Sequence, residues 1–276
     1  MSGPVRQISV DEARSFLEST RIGARTLLDV RQDFEYEEGH LPGAVHIPLP
    51  ELADRLDELD PAKPALVYCL SGGRSLAGAN MLAGAGFADV LSMKGGMSAW
   101  NGAQATGPRD LGLDSLLGAA TPLEALARAW GMELALEAFY QALSGRASDE
   151  EMQGVFARLA GFEVRHRTAI LNSARKQRGF VDDAAFEALA RGGMPSGTLE
   201  GGVGADEYLG LMSDPSDLGE ALELAMAIEA QALDLYTRRA AKAEDEELGA
   251  AFRLLAAEEK AHLQLLGRFV SGRRSF

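Results

Sequence analysis

Six side chains in the second half of the chain have the types and spacing to hold a pair of metal ions. Glu163 is followed three residues later by His166, and Glu259 three residues later by His262. Glu133 stands 30 residues before Glu163, and Glu229 stands 30 residues before Glu259. Tyr140 and Tyr236 each follow their glutamate by seven residues. All four residues of the first set recur at an offset of 96 in the second, which reads as a duplicated helical hairpin. Residues three or seven apart share one face of a helix. Glu163 and His166 can therefore point at one spot, as can Glu259 and His262, with Glu133 and Glu229 completing the site from facing helices. Four buried glutamates without partners would be prohibitively costly, and two divalent cations would neutralise them. Bridging carboxylates with one imidazole per metal favour two iron ions, with manganese as the other candidate, over oxygen-bound magnesium or thiolate-bound copper. Tyr140 and Tyr236 fit a core position with a satisfied hydroxyl, or a place just behind the ligands.

A second chemistry is written in the first half, around the one cysteine of the chain. Cys69 follows an apolar run, Ala65–Tyr68, and opens the segment Cys69-Leu70-Ser71-Gly72-Gly73-Arg74-Ser75, after which a helix begins. A strand–loop–helix turn aims backbone N–H groups into the loop and adds the positive end of the helix dipole. Such a cradle stabilises an anion and lowers a thiol's pKa, and Arg74 would add a fixed positive charge. A nucleophilic thiolate beside an anion pocket accounts for all these parts. A buried, inert cysteine is the plainer alternative. It leaves Gly72, Gly73 and Arg74 without a reason.

The elements that must position these groups change character near residue 105. Strands are expected at Thr26–Val30, Ala44–Ile47, Ala65–Tyr68 and Asp89–Ser92, with helices at Val10–Glu18, Leu49–Leu56 and Ser75–Ala85. Such alternation implies an α/β sheet covered by helices. Residues 106–122 read as a linker, giving domains at 1–105 and 123–276. From 123 onward the pattern is helical. One helix is expected over Leu123–Leu143, stopping at Ser144-Gly145. A second starts at a capping box, Ser148 with Glu151, and runs to Arg178, where Gly179 ends it. A third follows Asp214-Pro215, and a fourth runs from Glu246 to Val270. A small helix (Asp183–Arg191) and a glycine-rich stretch (Gly197–Gly204) lie in the middle connection. Four long helices with one long connection suggest an all-α, ferritin-like four-helix bundle.

Composition narrows the partners. The 276 residues suit about two domains at roughly 150 residues each. Acidic residues outnumber basic ones, 41 to 27, for a net charge of −14, which argues against nucleic acid and anionic membranes. One cysteine excludes an internal disulfide and a four-cysteine metal site. No apolar run reaches the roughly 18 residues of a membrane helix, and the N-terminus lacks a signal-peptide core, so a cytoplasmic location is expected.

Residues 5–101 resemble a single-domain rhodanese. The resemblance rests on Leu28-Asp29-Val30-Arg31, Glu35, Gly39-His40-Leu41-Pro42-Gly43-Ala44, the loop Cys69–Arg74, and Lys94-Gly95-Gly96-Met97-Ser98-Ala99-Trp100. It implies that Cys69 is the persulfide-carrying nucleophile and Arg74 a substrate-binding residue. The backbone of Leu70, Ser71, Gly72 and Gly73, together with Ser75, would cradle the sulfane sulfur, and Asp29 and Arg31 would brace the fold near the loop. Phosphatases of the Cys-x5-Arg type have one residue more between cysteine and arginine, so the loop here is of the sulfurtransferase length. Most of residues 123–271 resemble the ferritin-like di-iron superfamily, in its rubrerythrin and bacterioferritin branches. That resemblance implies that Glu133, Glu163, His166, Glu229, Glu259 and His262 are the metal ligands. Rubrerythrins usually add glutamates on the second helical pair. Ala232 stands at one such place, which brings the site closer to the symmetric bacterioferritin arrangement.

The two halves together read as a sulfurtransferase using thiosulfate or a persulfide as donor, joined to a di-iron bundle with oxygen, peroxide or sulfur redox activity. The expected partners are small sulfur compounds, a thiol or other sulfur acceptor, an external electron donor, and a second copy of the chain in a homodimer. A sensor or carrier that binds metal and sulfur without turnover is the alternative.

Overall fold

The computed structural model describes residues 5–108, 119, 121–147, 150–192, 199 and 217–273. The chain forms two compact units, Met1–Arg109 and Asp110–Phe276. The first is α/β. Its elements in chain order are β1 (Arg6–Ile8), α1 (Val10–Ser19), β2 (Thr26–Asp29), α2 (Asp33–Glu38), β3 (Val45–His46), a 3-10 segment (Leu49–Glu58), β4 (Ala65–Tyr68), α3 (Gly73–Gly84), β5 (Val90–Met93) and α4 (Gly96–Ala99). The strands make one parallel sheet in the order β1-β5-β4-β2-β3. β2, β4 and β5 are buried along their whole length, as parallel strands covered on both faces must be. β4 sits at the centre of the sheet, so the loop that follows it opens at the carboxyl ends of the strands, where α/β sheets hold their ligands.

Three elements of this unit differ from expectation. β1 is a three-residue, mostly exposed edge strand with an Arg-Gln start, so it carries no apolar run to mark it. α2 is a short acidic helix that buries Tyr36 alone. The segment expected as the helix Leu49–Leu56 is 3-10, with prolines on both sides of Leu49.

The second unit is helical: α5 (Pro122–Arg146), α6 (Glu150–Ala174), α7 (Asp183–Gly192), α8 (Leu218–Ala241) and α9 (Glu246–Arg273). α5 packs along α6, and α8 along α9. α7 lies against α5 at Gly131, where a Cβ would stand 3.2 Å from the carbonyl oxygen of Ala190. Leu136, Phe139, Phe156, Leu159, Leu222, Ile228 and Leu266 belong to one buried cluster that draws on all four long helices.

The helix ends correct several expectations. α5 does not stop at Ser144-Gly145 but continues to Arg146, because Leu143 and Ala147 are held in the core. α6 ends at Ala174, short of Arg178, and Gly179 turns the chain at φ 92°. Asp217 caps α8, its carboxylate accepting from the amides of Gly219 and Glu220. Asp214, Pro215, Ser148, the stretch Gly197–Gly204 (except Leu199) and most of the expected linker lie outside the described residues. Among the described residues, no helix is long and apolar enough to cross a membrane.

Candidate functional site

The cysteine centre is built at the end of β4. Cys69 is buried, and Gly72, in the left-handed region at φ 106°, begins α3 as its N-cap. A Cβ on Gly72 would meet the Gly95 amide nitrogen at 3.2 Å as well as straining the backbone. The Gly72 N–H donates to Cys69 Sγ at 3.1 Å. Burial pushes the thiol up. The amides of Ser75, Gly72 and Ser71 and the Ser75 hydroxyl outweigh it and hold the pKa below the ordinary thiol value. Ser75 is itself fixed, donating to the Gly72 carbonyl at 3.1 Å and accepting from Ser92 at 3.1 Å. Leu70, Ser71 and Gly73 are exposed around the sulfur.

The loop is clamped from behind by α4. The amides of Met97 and Ser98 donate to the carbonyls of Cys69 and Leu70, both at 2.9 Å. Gly96, at φ 52°, makes that approach feasible, since a Cβ there would lie 2.1 Å from the Cys69 carbonyl oxygen. Arg74 has a partner inside the protein. Its guanidinium forms a bidentate pair with Glu35, both bonds 2.6 Å, so its positive charge is matched within the protein. Glu35 also accepts from the Gln32 amide at the start of α2, and its carboxyl is held below the usual range chiefly by Arg74. Asp29 and Arg31 form a buried pair at 2.6 Å, and Arg31 donates on to the Gly39 carbonyl at 2.7 Å. His40 and His46 stack on Tyr36, with ring centroids 3.6 and 4.5 Å from it. Both imidazoles are thus internal to the fold.

The second centre lies among α5, α6, α8 and α9. Glu133, Glu163, His166, Glu229, Glu259 and His262 are all buried. Their ligand atoms gather in three sets, each within 4.8 Å: Glu133, Glu163 and His166; Glu163, Glu229 and His262; His166, Glu259 and His262. His166 Nδ1 has Glu133 and Glu163 oxygens at 2.9 Å and a Glu259 oxygen at 3.2 Å. His262 Nδ1 stands 3.2 Å from both Glu229 and Glu259. The rings of His166 and His262 stack at 5.0 Å. Each tyrosine crosses to the other hairpin: Tyr140 donates to Glu229 at 2.9 Å and Tyr236 to Glu133 at 2.7 Å.

A cation among these groups would offset their negative charge. One Nδ1–H can serve one of the three oxygens around it, and neither oxygen of Glu163 accepts a hydrogen bond of good geometry. Burial holds the Glu163 carboxyl well above its ordinary value, and the charges of Glu229 and Glu133 add to that. The His166 imidazole is driven far up, because Glu133 and Glu259 outweigh the opposing effect of burial. Glu163 oxygens without a well-placed donor, that carboxylate shared between two of the sets, and one imidazole nitrogen facing inward from each hairpin would suit a pair of iron or manganese ions.

Three features of these centres were not read from the sequence. Glu35 belongs to the rhodanese-like pattern, but nothing in that pattern pairs it with Arg74. Glu258, half-exposed, reaches His166 Nε2 at 3.0 Å. Leu254, on α9 five residues before Glu259, is exposed.

Residues 9–103 match the family model of the rhodanese-like domain. The Bacillus subtilis protein YrkF, named as a candidate sulfur carrier, is 36% identical over 98 residues, which are 36% of this chain and 52% of that protein; the chain thus spans about half the length of YrkF. The thiosulfate sulfurtransferase GlpE of Pseudomonas syringae is 35% identical over 95 residues, 34% of this chain and 86% of GlpE. The crystal structure of a rhodanese-like domain protein from Staphylococcus aureus is 29% identical with a TM-score of 0.32, covering 35% of this chain and 91% of that one.

Proposed function

Since the chain belongs, through residues 9–103, to the rhodanese-like family, we propose that its first unit transfers sulfane sulfur through a persulfide on Cys69. The carrying observation is the Cys69 sulfur, which accepts a hydrogen bond from Gly72 and is held below the ordinary thiol pKa by the amides around it. The thiolate attacks the outer sulfur of thiosulfate or of a persulfide. A new S–S bond forms, the donor's S–S bond breaks, and sulfite or a thiolate leaves with the electron pair. An acceptor nucleophile then takes the outer sulfur and returns the Cys69 thiolate. The N–H groups that face Sγ stabilise the thiolate before and after each step. Arg74 engages an anionic donor by exchanging part of its bidentate pair with Glu35. Thiocyanate formation from thiosulfate and cyanide tests this reading. The wild-type chain should turn over, and Cys69→Ser should be inactive; equal rates would overturn it.

For the second unit the reading is a ferritin-like bundle holding two iron ions, or manganese in their place. Glu133, Glu163 and His166 would hold one ion and Glu229, Glu259 and His262 the other, with Glu163 and Glu259 facing both sets. The bound metals would supply redox chemistry toward oxygen, peroxide or a sulfur species. Tyr140 and Tyr236 would orient Glu229 and Glu133, and the buried apolar cluster would keep bulk water out. The supporting observation is Glu163, a buried carboxyl group whose two oxygens accept no hydrogen bond of good geometry. Metal content of the purified chain is the test. Two metals per chain, lost in Glu163→Ala, would bear the reading out, and fewer than two, unchanged by the substitution, would sink it. Sulfur acceptor, electron donor and a homodimer complete the proposal as partners.

A further inference from the structure

The 96-residue repeat does not extend to the residues just before Glu163 and Glu259. The residue before Glu259 is Glu258; the residue before Glu163 is Phe162. The Glu258 carboxylate sits 3.0 Å from Nε2 of His166, on the side of the ring away from the converging carboxylates. Phe162 does something different for the other imidazole. Its ring stacks on His262 at 4.3 Å and 12°, with the Arg165 guanidinium 4.4 Å from the same ring.

A ligand imidazole must turn a lone pair to the metal and keep its proton on the other nitrogen. A carboxylate on that other nitrogen selects the tautomer, fixes the ring and makes the ligand nitrogen more basic. Aromatic stacking fixes the ring plane but selects no tautomer and adds no charge. The two halves of the cluster, alike in their six inward-facing groups, are therefore unlike one layer further out.

We propose that Glu258 is a positioning residue for His166 and that it makes the two metal positions unequal, the His166 position being the tighter. This rests on the di-metal reading of the second unit. Glu258 is half-exposed and lies outside the buried apolar cluster, so its replacement should leave the fold intact.

The test is a titration of the metal-free full-length chain with Co2+, followed by visible d–d absorption and by calorimetry. Wild type should bind two Co2+ in two unequal steps. Glu258→Gln keeps an acceptor for Nε2–H but loses the charge, and Glu258→Ala loses both. The tighter step should weaken about tenfold or more, further in Ala than in Gln, while the second step and the circular dichroism stay as in wild type. The band of the first-bound Co2+ should shift, which a merely structural role would not produce. Two steps unchanged in both variants, or both steps weakened equally, would overturn the role of Glu258. Fewer than two Co2+ per wild-type chain would overturn the di-metal reading itself, and the inference with it.

Discussion

The hydroxyl of Tyr236 donates to Glu133, which lies 103 residues earlier in the chain, at 2.7 Å. The reciprocal bond joins Tyr140 to Glu229 at 2.9 Å. Each hairpin thus supplies the donor that the other hairpin's glutamate needs. Replacing Tyr236 by Phe leaves a buried carboxylate oxygen without that donor and should cost about 1–3 kcal/mol in the metal-free protein. The fold should survive, since the ring stays packed on Phe252. Chemical denaturation of Tyr236→Phe beside Tyr140→Phe would check this, with similar losses expected for both.

Glu163 should trade stability against binding. In the metal-free protein it is a buried carboxylate whose oxygens accept no hydrogen bond of good geometry. Replacing it by Leu removes a buried polar group whose oxygens lack good partners, so the metal-free variant should be more stable than wild type by about 1–3 kcal/mol. The same change should abolish the rise in melting temperature that added iron or manganese gives wild type. Melting both proteins with and without metal reads the two effects separately.

Metal loading should release protons and tighten as pH rises. Against the effect of burial, Glu133 and Glu259 raise the His166 pKa above its ordinary value, which favours a proton on the nitrogen that faces the cluster. A metal must displace that proton, and higher pH helps it to. Linkage gives the metal-free protein the opposite trend. A raised folded-state pKa contributes stability fully below the unfolded value, near pH 6.5, and that contribution shrinks as pH climbs toward the folded value. Glu163, also raised, has the same sign. Calorimetry in buffers of different ionisation enthalpy would count the protons, and melting the metal-free chain from pH 6 to 9 would show the decline.

Alkylation of Cys69 by iodoacetamide should titrate with a midpoint below the ordinary thiol value of 9.0, because the amides of Ser75, Gly72 and Ser71 favour the thiolate over the effect of burial. A midpoint at or above that value would contradict the geometry of the loop.

Gly96→Ala should damage both stability and sulfur transfer. A Cβ there would lie 2.1 Å from the Cys69 carbonyl oxygen, and both partners are backbone, so one segment must move. A loss of about 2–4 kcal/mol is expected, with the activity falling further than the stability alone would explain. Thermal melting and thiocyanate assays on the same preparation would separate them.

The chemistry-bearing residues were easier to read than the elements around them. The 96-residue repeat marked the six buried groups because each had to recur at the same place on a helix face. β4 was legible to the residue, being an apolar run closed by a cysteine loop. What the sequence hid depends on tertiary context. Ser144-Gly145 looks like a stop, yet Leu143 and Ala147 in the core carry the helix past it. β1 is an exposed edge whose pairing with β5 leaves no periodic trace. The Arg74–Glu35 pair joins residues 39 apart, and no local pattern announces it. Glu258 reads as one more surface acid until its neighbour across the helices is known to be His166.

The crossed tyrosines also bear on the order in which the second unit assembles. A hairpin of two adjacent helices closes quickly, since its contacts are local. Within its own hairpin each central glutamate meets only the histidine, and the tyrosine hydroxyl on its second oxygen comes from the other hairpin. Docking of the two hairpins should therefore be the slow, late event in refolding. A truncated chain carrying one hairpin should remain a loosely ordered species with exposed apolar surface, open to exchanging partners with a second copy of itself.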